Sequence, residues 1–392
     1  MQIHWIWLAE LNKIPLHQKL MLLERFSDPE EIFRRGGAAL KETEGATREM
    51  ANELEKRDLS RAEAILRSCK NKNIGIVTFF EDAYPARLRN IAEAPLVLYY
   101  RGRLPDTEKQ PVISVVGTRK ATAYGMNIAH RMGQQLAACG ALVVSGGADG
   151  IDTMALRGAL DLDVPVVAVL GGGVDVIYPK ANRKLFERIL EKGCLMSEYA
   201  PGTPSYSWNF PQRNRILSGM ANGVLVVEAP EKSGALITAR NALEQGRDVF
   251  VVPGNIDVAA CAGSNALLQG YAMASLTGWD VVGEYRSLYP DAVQMRQVPA
   301  HIRDVEFTGA KVAQTPAVPA RSAVKDTPAK PAQPLTEEEA AVVACLTGQP
   351  QSVDAVIARS GLPAARVMSI LTVLSVKGVV CNHPGKRISL KQ

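Results

Sequence analysis

From about Ile74 the chain alternates between short apolar runs rich in β-branched residues and amphipathic stretches, which restricts its fold more than any other feature. The runs are "IGIVT", "LVLYY", "VISVV", "ALVVS", "VPVVAVL", "GVLVVEA" and "DVFVVPG". Between them lie "GMNIAHRMGQQLAACG", "IDTMALRGALDLD", "NRKLFERILEKG" and "GALITARNALEQG", which read as helices. Strands that are apolar without alternation, separated by amphipathic helices, must be covered on both faces. The pattern predicts an α/β domain with a doubly wound, mostly parallel sheet over residues 73–300.

The flanks differ. Residues 1–72 read as helices only. Apolar positions recur at helical spacing in "LHQKLMLLERF", and Ser27, Asp28 and Pro29 restart a helix by N-cap and N1 preferences. The charged run "KRDLSRAEAILRSCKNK" reads as one solvated amphipathic helix. Residues 301–334 are rich in Ala and Pro and too poor in apolar side chains to fold, so they read as a linker. Residues 335–392 carry three helical stretches, Asp354 to Arg359 and Leu362 to Lys377 among them, and a hairpin with a Pro-Gly turn, "GVVCNHPGKRISL". That is the pattern of a winged helix.

A length of 392 residues allows two or three domains, and 47% hydrophobic residues suffice for a substantial core. The net charge of +5 is compatible with a polyanionic partner. No apolar run is long enough to span a bilayer, and "MQIHWIWLAELNK" lacks the basic start of a signal peptide. The six cysteines are scattered, without a C-x-x-C pair, as in a reduced cytoplasmic protein, and the five histidines show no metal-ligand spacing.

In an open α/β sheet, ligands sit at the carboxyl ends of the strands. Here those ends read "GTRK", "SGGADGID", "LGGGVDVIYPKANRK", "EAPEKSGALITAR" and "PGNIDVAACAGSN". They are rich in glycine and hydroxyls, several lead into a helix N-terminus suited to anions, and Arg119, Lys120, Lys180, Arg183 and Lys184 add cations. G-x-G-x-x-G and Walker A are absent, which disfavours dinucleotides and ATP, so no cofactor and no metal are called for. Asp149, Asp152, Asp175 and Glu228 form no nucleophile–base pair; Asp152 and Ser233 read as helix caps and the other acids as partners of loop cations. The stretch "SYSWNFPQRNRILSG" interleaves aromatics with arginines, as single-strand binders do. It is equally readable as core, with Trp208 and Phe210 buried and the arginines bridged to carboxylates.

Six motifs, "VVGTRKATAYG", "SGGADGIDTMA", "VLGGGVDVIYPKANRKL", "FPQRNRILSG", "VEAPEKSGALITARNALEQGRDVFVVPG" and "GSNALLQGYAM", follow one another in an order that resembles the DNA-processing protein A (DprA/Smf) family. The resemblance covers most of residues 75 to 285. It implies a SAM-like helical domain over 1–72, an extended Rossmann-like DNA-binding domain over 73–300 and a terminal winged helix. It implies a homodimer that binds single-stranded DNA, protects it and loads the RecA recombinase during natural transformation, without catalytic activity. Gly117, Thr118 and Arg119 would line a phosphate pocket with Lys120 beside it in the DNA-binding set, Lys184 would extend the basic surface, and Phe210 would contact a base. Arg213, Asn214 and Arg215 would organise that wall, and Ser233, Gly234, Thr238 and Asn265 complete the expected DNA-binding set. Asp149 stands where the family usually has a basic residue, and "LNKIPLHQK" lacks the glycines of a helix-hairpin-helix phosphate grip.

The resemblance also suggests why a hydroxyl and two cations follow "VISVVG". A continuous DNA backbone is held at an open groove by a guanidinium, whereas a glycine loop must enclose its ligand. Two other readings belong to different classes. One is a Rossmann-like nucleotide-processing hydrolase, whose P-G-G-x-G-T-x-x-E signature this chain lacks. The other is a transcription regulator acting through the winged helix, whose recognition stretch has Arg366 as its main cation and so reads as protein-contacting.

Overall fold

The computed structural model describes residues 2–41, 43–298, 336–349, 351–376, 379–383 and 387–390. The chain divides into two compact units, Met1–Val312 and Ala313–Gln392. The first begins with helices α1 (Gln2–Glu10), α2 (Leu16–Phe26), α3 (Pro29–Arg35), α4 (Arg48–Glu55) and α5 (Ser60–Asn71). Helix α3 starts as expected, with Pro29 at N1 and the Asp28 carboxylate accepting Glu30 N–H at 2.9 Å. The charged run is not one helix from end to end. Arg57 adopts φ 48° and the Asp58 side chain accepts Ser60 N–H at 2.9 Å, so α5 begins only at Ser60. It is amphipathic, burying Ala62, Ile65 and Cys69.

The sheet elements follow as β1 (Gly75–Thr78), α6 (Ala86–Arg89), β2 (Val97–Gly102), β3 (Val112–Val116), α7 (Ala123–Ala138), β4 (Leu142–Ser145), α8 (Ile151–Leu160) and β5 (Val166–Val169). Next come α9 (Arg183–Lys192), β6 (Cys194–Ser197), α10 (Asn209–Met220), β7 (Gly223–Val226), α11 (Gly234–Glu244), β8 (Asp248–Val251), α12 (Ala262–Leu268), β9 (Met273–Ala274) and α13 (Gly278–Val282). The strand order is β1-β2-β6-β5-β4-β3-β7-β8-β9. All neighbours from β6 to β9 are parallel, while β2 runs antiparallel to β6 and β1 to β2. Strand β9 is too short to stand out in the sequence, and β6, "CLMS", lacks β-branched residues and follows α9 directly.

Both faces of the central strands are buried. Ile113 and Val115 pack with Ala129, Leu136 and Leu156 of α7 and α8, while Val112 and Val116 pack with Leu88, Ile216, Leu217 and Ala239 of α6, α10 and α11. This two-sided burial is what the unalternated apolar runs required. A third core joins Trp5, Trp7, Leu22 and Ile32 of the helical region to Val97 and Tyr99 of β2. Strands β4 to β6 lie on one side of β3, and β7 to β9 on the other. The winding therefore reverses between β3 and β7, and a crevice opens at their carboxyl ends. Among the described residues no helix is long and apolar enough to cross a membrane.

The second unit has α14 (Glu337–Ala344), β10 (Gln351–Ser352), α15 (Val353–Ser360), α16 (Ala364–Val376), β11 (Val380–His383) and β12 (Arg387–Leu390). Its antiparallel sheet, ordered β10-β12-β11, adds one short strand to the expected hairpin and completes a winged helix. Val342, Val356, Val367, Leu374 and Ile388 form its core. Arg366 pairs with Glu338 at 2.6 Å. The linker expected over 301–334 and the Pro-Gly turn lie outside the described residues.

Lys19 gives a stability test. It is 6% exposed and donates to Ala9 C=O at 2.7 Å. Burial lowers its pKa from 10.5 to about 8, against the weaker opposing pull of Glu10. Between those values the unfolded chain binds more protons, so Lys19 makes stability rise with pH across that window and contributes no slope below it. The integrated gain is about 3 kcal/mol. Denaturant midpoints from pH 7 to 10.5 are expected to rise more steeply in the wild type than in Lys19→Met, and parallel curves would show that Lys19 does not titrate in this way.

Candidate nucleic-acid interface

The first strand-end loop is fixed from below. Thr118 N–H donates to Glu228 C=O at 2.7 Å, joining the ends of β3 and β7 at the reversal point. A Cβ at Gly117 would lie 2.5 Å from Ile151 and 2.8 Å from the Glu228 carbonyl, so this turn needs glycine for close approach. The Glu228 side chain, 1% exposed, accepts Thr122 N–H and Thr122 O–H, each at 3.1 Å. Thr122 in turn caps α7 by accepting Gly125 N–H at 2.9 Å. Burial raises the Glu228 pKa, and the two Thr122 bonds oppose the rise. A Cβ on Gly125 would collide with the same carboxylate. The N-terminus of α7, the seat of a phosphate in dinucleotide-binding folds, is therefore filled by a carboxylate of the protein itself.

Above this floor lies a groove of about 530 Å³. Ten of the thirteen expected site residues line it: Gly117, Thr118, Arg119, Lys120, Phe210, Arg213, Asn214, Ser233, Gly234 and Thr238. One bank is the loop after β3 and the other is the start of α11, where Ser233 accepts Ala235 N–H at 3.3 Å. Asn214 ties α10 to that bank by donating to Gly234 C=O at 3.1 Å. Arg119, Lys120 and Lys232 are exposed and make no ion pair among the described residues. The Arg119 guanidinium carbon sits 4.5 Å from the centre of the half-buried Phe210 ring. The exposed Tyr178 ring lies 5.5 Å from Phe210.

Phe210 belongs to α10, which the sequence reading left without a secondary structure. Its Pro211 falls in the first turn, where a missing N–H is tolerated. The two arginines that follow are committed inside the protein. Arg213, 3% exposed, donates to Gly146 C=O at 2.7 Å and to Val169 C=O. Arg215 pairs with Glu198 at 2.6 Å and lies 3.8 Å from Glu93. Of the two readings the sequence left open, Arg215 follows the one that bridges the arginines to carboxylates, whereas Arg213 is buried on backbone carbonyls instead.

Asp152 does not cap α8, contrary to expectation. Gly150 occupies the N-cap position, and the Asp152 carboxylate turns inward to accept Ala148 N–H at 3.4 Å near Arg213. Burial raises its pKa to about 6, opposed by the nearby Arg213 charge. Lys184 is exposed on the first turn of α9 and does not line the groove. Asn265 bridges Gly254 N–H and C=O, both at 3.0 Å, and holds the loop after β8 away from the groove lining. Lys232 and Tyr178 line the groove without having been singled out. Their signal was adjacency, since Lys232 directly precedes the Ser233 cap and Tyr178 stands in a glycine-rich strand-end loop.

Residues 75–286 match the model of the family described as DNA recombination-mediator protein A, and residues 326–386 that of the DprA winged helix domain. Protein Smf of Synechocystis sp. is 32% identical, over 98% of this chain and 98% of its own. DNA processing protein DprA of Streptococcus pneumoniae is 41% identical over 53% of this chain and 73% of its own. The X-ray structure of DNA processing protein A from S. pneumoniae is similar at TM-score 0.64 and 32% identity, covering 72% of this chain and 98% of that one. A structure concerned with the single-stranded DNA binding mode of the Helicobacter pylori DNA processing protein A gives 0.50 at 26% identity, covering 55% and 96%. With a family match spanning the whole doubly wound sheet and a relative alike over nearly the full length, the chain belongs to the DNA recombination-mediator protein A (DprA/Smf) family.

Proposed function

We propose that the chain is a non-enzymatic, cytoplasmic recombination mediator that binds single-stranded DNA in this groove. The observation that carries this reading is an open groove rimmed by three cations without ion pairs among the described residues, with an aromatic ring between its banks. The work on the Helicobacter relative supports the choice of single-stranded DNA. Arg119 holds a backbone phosphate bidentately, Lys120 and Lys232 add long-range attraction, and the N-terminus of α11 offers its positive end. The phosphate draws Arg119 off Phe210 and uncovers the ring for a base. A duplex keeps its base faces stacked and cannot use Phe210, so single strands bind more tightly.

The family description supports a recombination mediator, and we extend this to loading RecA on the bound strand in natural transformation, when incoming DNA is single-stranded. A homodimer would join two grooves into one path and raise avidity. Its interface is the sheet edge at β9 beside α12, where Tyr271, Met273 and Leu276 are 55%, 36% and 76% exposed.

Arg119→Ala is expected to weaken single-strand affinity by about 1–3 kcal/mol and to lower the salt slope by about 0.7. Phe210→Ala should cost about 1–3 kcal/mol on single strands, barely alter duplex binding and leave the slope unchanged, because stacking releases no counterions. Titrations at two salt concentrations check both, and full affinity in a folded Arg119→Ala variant would remove the groove as the site. Arg213→Met should act differently, destabilising the fold by roughly 3 kcal/mol or more because it strips buried acceptors of their donor. Thermal melts read this loss, and an unchanged melt with an altered salt slope would put Arg213 on phosphate after all.

Leu276→Glu should shift the particle from dimer to monomer in sedimentation at micromolar concentration and weaken binding to long oligonucleotides. A wild-type monomer with undiminished affinity would exclude the dimer.

A further inference from the structure

We propose that Trp208, braced by Tyr206, is a second base-stacking platform that takes a nucleotide neighbouring the one on Phe210; this rests on the single-strand reading above. The two rings stack on each other with centroids 4.6 Å apart and planes 7° apart. Both stand in solvent, Trp208 at 63% and Tyr206 at 44% exposed. Tyr206 stacks on one face of the indole, and Trp208 as a whole remains largely exposed.

The segment is not a loose tail. Tyr206 N–H donates to Pro204 C=O at 2.9 Å, and Asn209 N–H to Tyr206 C=O at 3.0 Å. Asn209, buried, donates from its side chain to Gly171 C=O at 2.8 Å. Upstream, Asp175 accepts Gly202 N–H at 2.7 Å and pairs at 2.5 Å with Lys72, the residue that follows α5. A preordered aromatic surface costs little entropy when it binds.

Position selects the occupant. Ser205, Ser207, Phe210 and Pro211 line the groove, and Tyr206 and Trp208 are their exposed immediate neighbours along the chain. Trp208 is the residue before α10, and Phe210 is in that helix's first turn. A strand whose phosphate lies on Arg119 and whose base lies on Phe210 leaves the groove past this exposed pair, and the neighbouring nucleotide stacks on the indole. Base–aromatic stacking tolerates any sequence, as a mediator requires.

The test uses the full chain and oligothymidylates. Trp208 is more exposed than Trp5 and Trp7, which are buried, and than the half-buried Trp279, so its quenching should dominate the fluorescence change on binding. Quenching is expected in the wild type and should disappear in Trp208→Phe, which keeps its affinity because phenylalanine also stacks. Trp208→Ala should bind oligothymidylate roughly five- to a hundredfold more weakly with the salt slope unchanged. It should bind an abasic strand of equal length as the wild type does. Absent quenching on saturation, full affinity in Trp208→Ala, or an equal loss on abasic strands would each overturn the proposal. Arg119→Ala run in parallel separates the two levels. If it weakens binding while Trp208→Ala does not, the platform alone falls, and if neither weakens it, the groove falls as well.

Discussion

The site depends on one buried carboxylate. Glu228 follows β7 at the point where the sheet reverses its winding, and its carboxylate accepts hydrogen bonds from the N–H and O–H of Thr122, the cap of α7. Burial disfavours a negative charge there, and the Thr122 donors at the helix N-terminus offset that cost only in part. By taking that place Glu228 closes the position where a parallel sheet of this kind would otherwise cradle a pyrophosphate. An incoming anion is left with what projects above the loop, and that is Arg119 and Lys120. Doubly wound sheets of this kind often bind nucleotides through an enclosing backbone, whereas the function proposed above places the ligand on side chains in an open groove.

The same economy governs the wall formed by α10. Its arginines do not face solvent. Arg213 satisfies carbonyls at the ends of β4 and β5, and Arg215 is neutralised by Glu198. Asn209 and Asn214 pin the helix to the loops on either side. Groups that are buried must be paired, so the polar residues of this helix contribute rigidity rather than field. The positive potential of the groove comes instead from exposed side chains in high dielectric, where attraction is weak per charge and sensitive to salt. A groove of this kind suits a long polyanion that offers many contacts better than a small ligand that must be held by a few.

Much of this was legible before any coordinates. Seven apolar runs became strands, and the helices between them fell where their spacing placed them. Strand β9 has only two residues, and β6, "CLMS", has no β-branched residue and follows α9 directly, so neighbours in the sheet define both. Helix α10 was missed because its proline and aromatics resemble a loop, although a proline in the first turn is harmless. The charged run before β1 was overextended, since a single left-handed residue at Arg57 ends one helix before the next begins.

Local chemistry along the chain determined the strands, the caps at Asp28 and Ser233, and the set of residues placed at strand ends, because periodicity and capping act over a few residues. Which of those residues meet was decided by topology. The reversal between β3 and β7 brings Thr118 to Glu228 across 110 positions of sequence and puts α11 opposite the first loop. Tertiary packing also decided which cations remain available. Arg119, Arg213 and Arg215 are alike in a sequence, yet two are consumed by acceptors contributed from distant strands and loops, and one is left over the groove. Charge is a property of the residue, but its availability depends on which acceptors the fold carries to it.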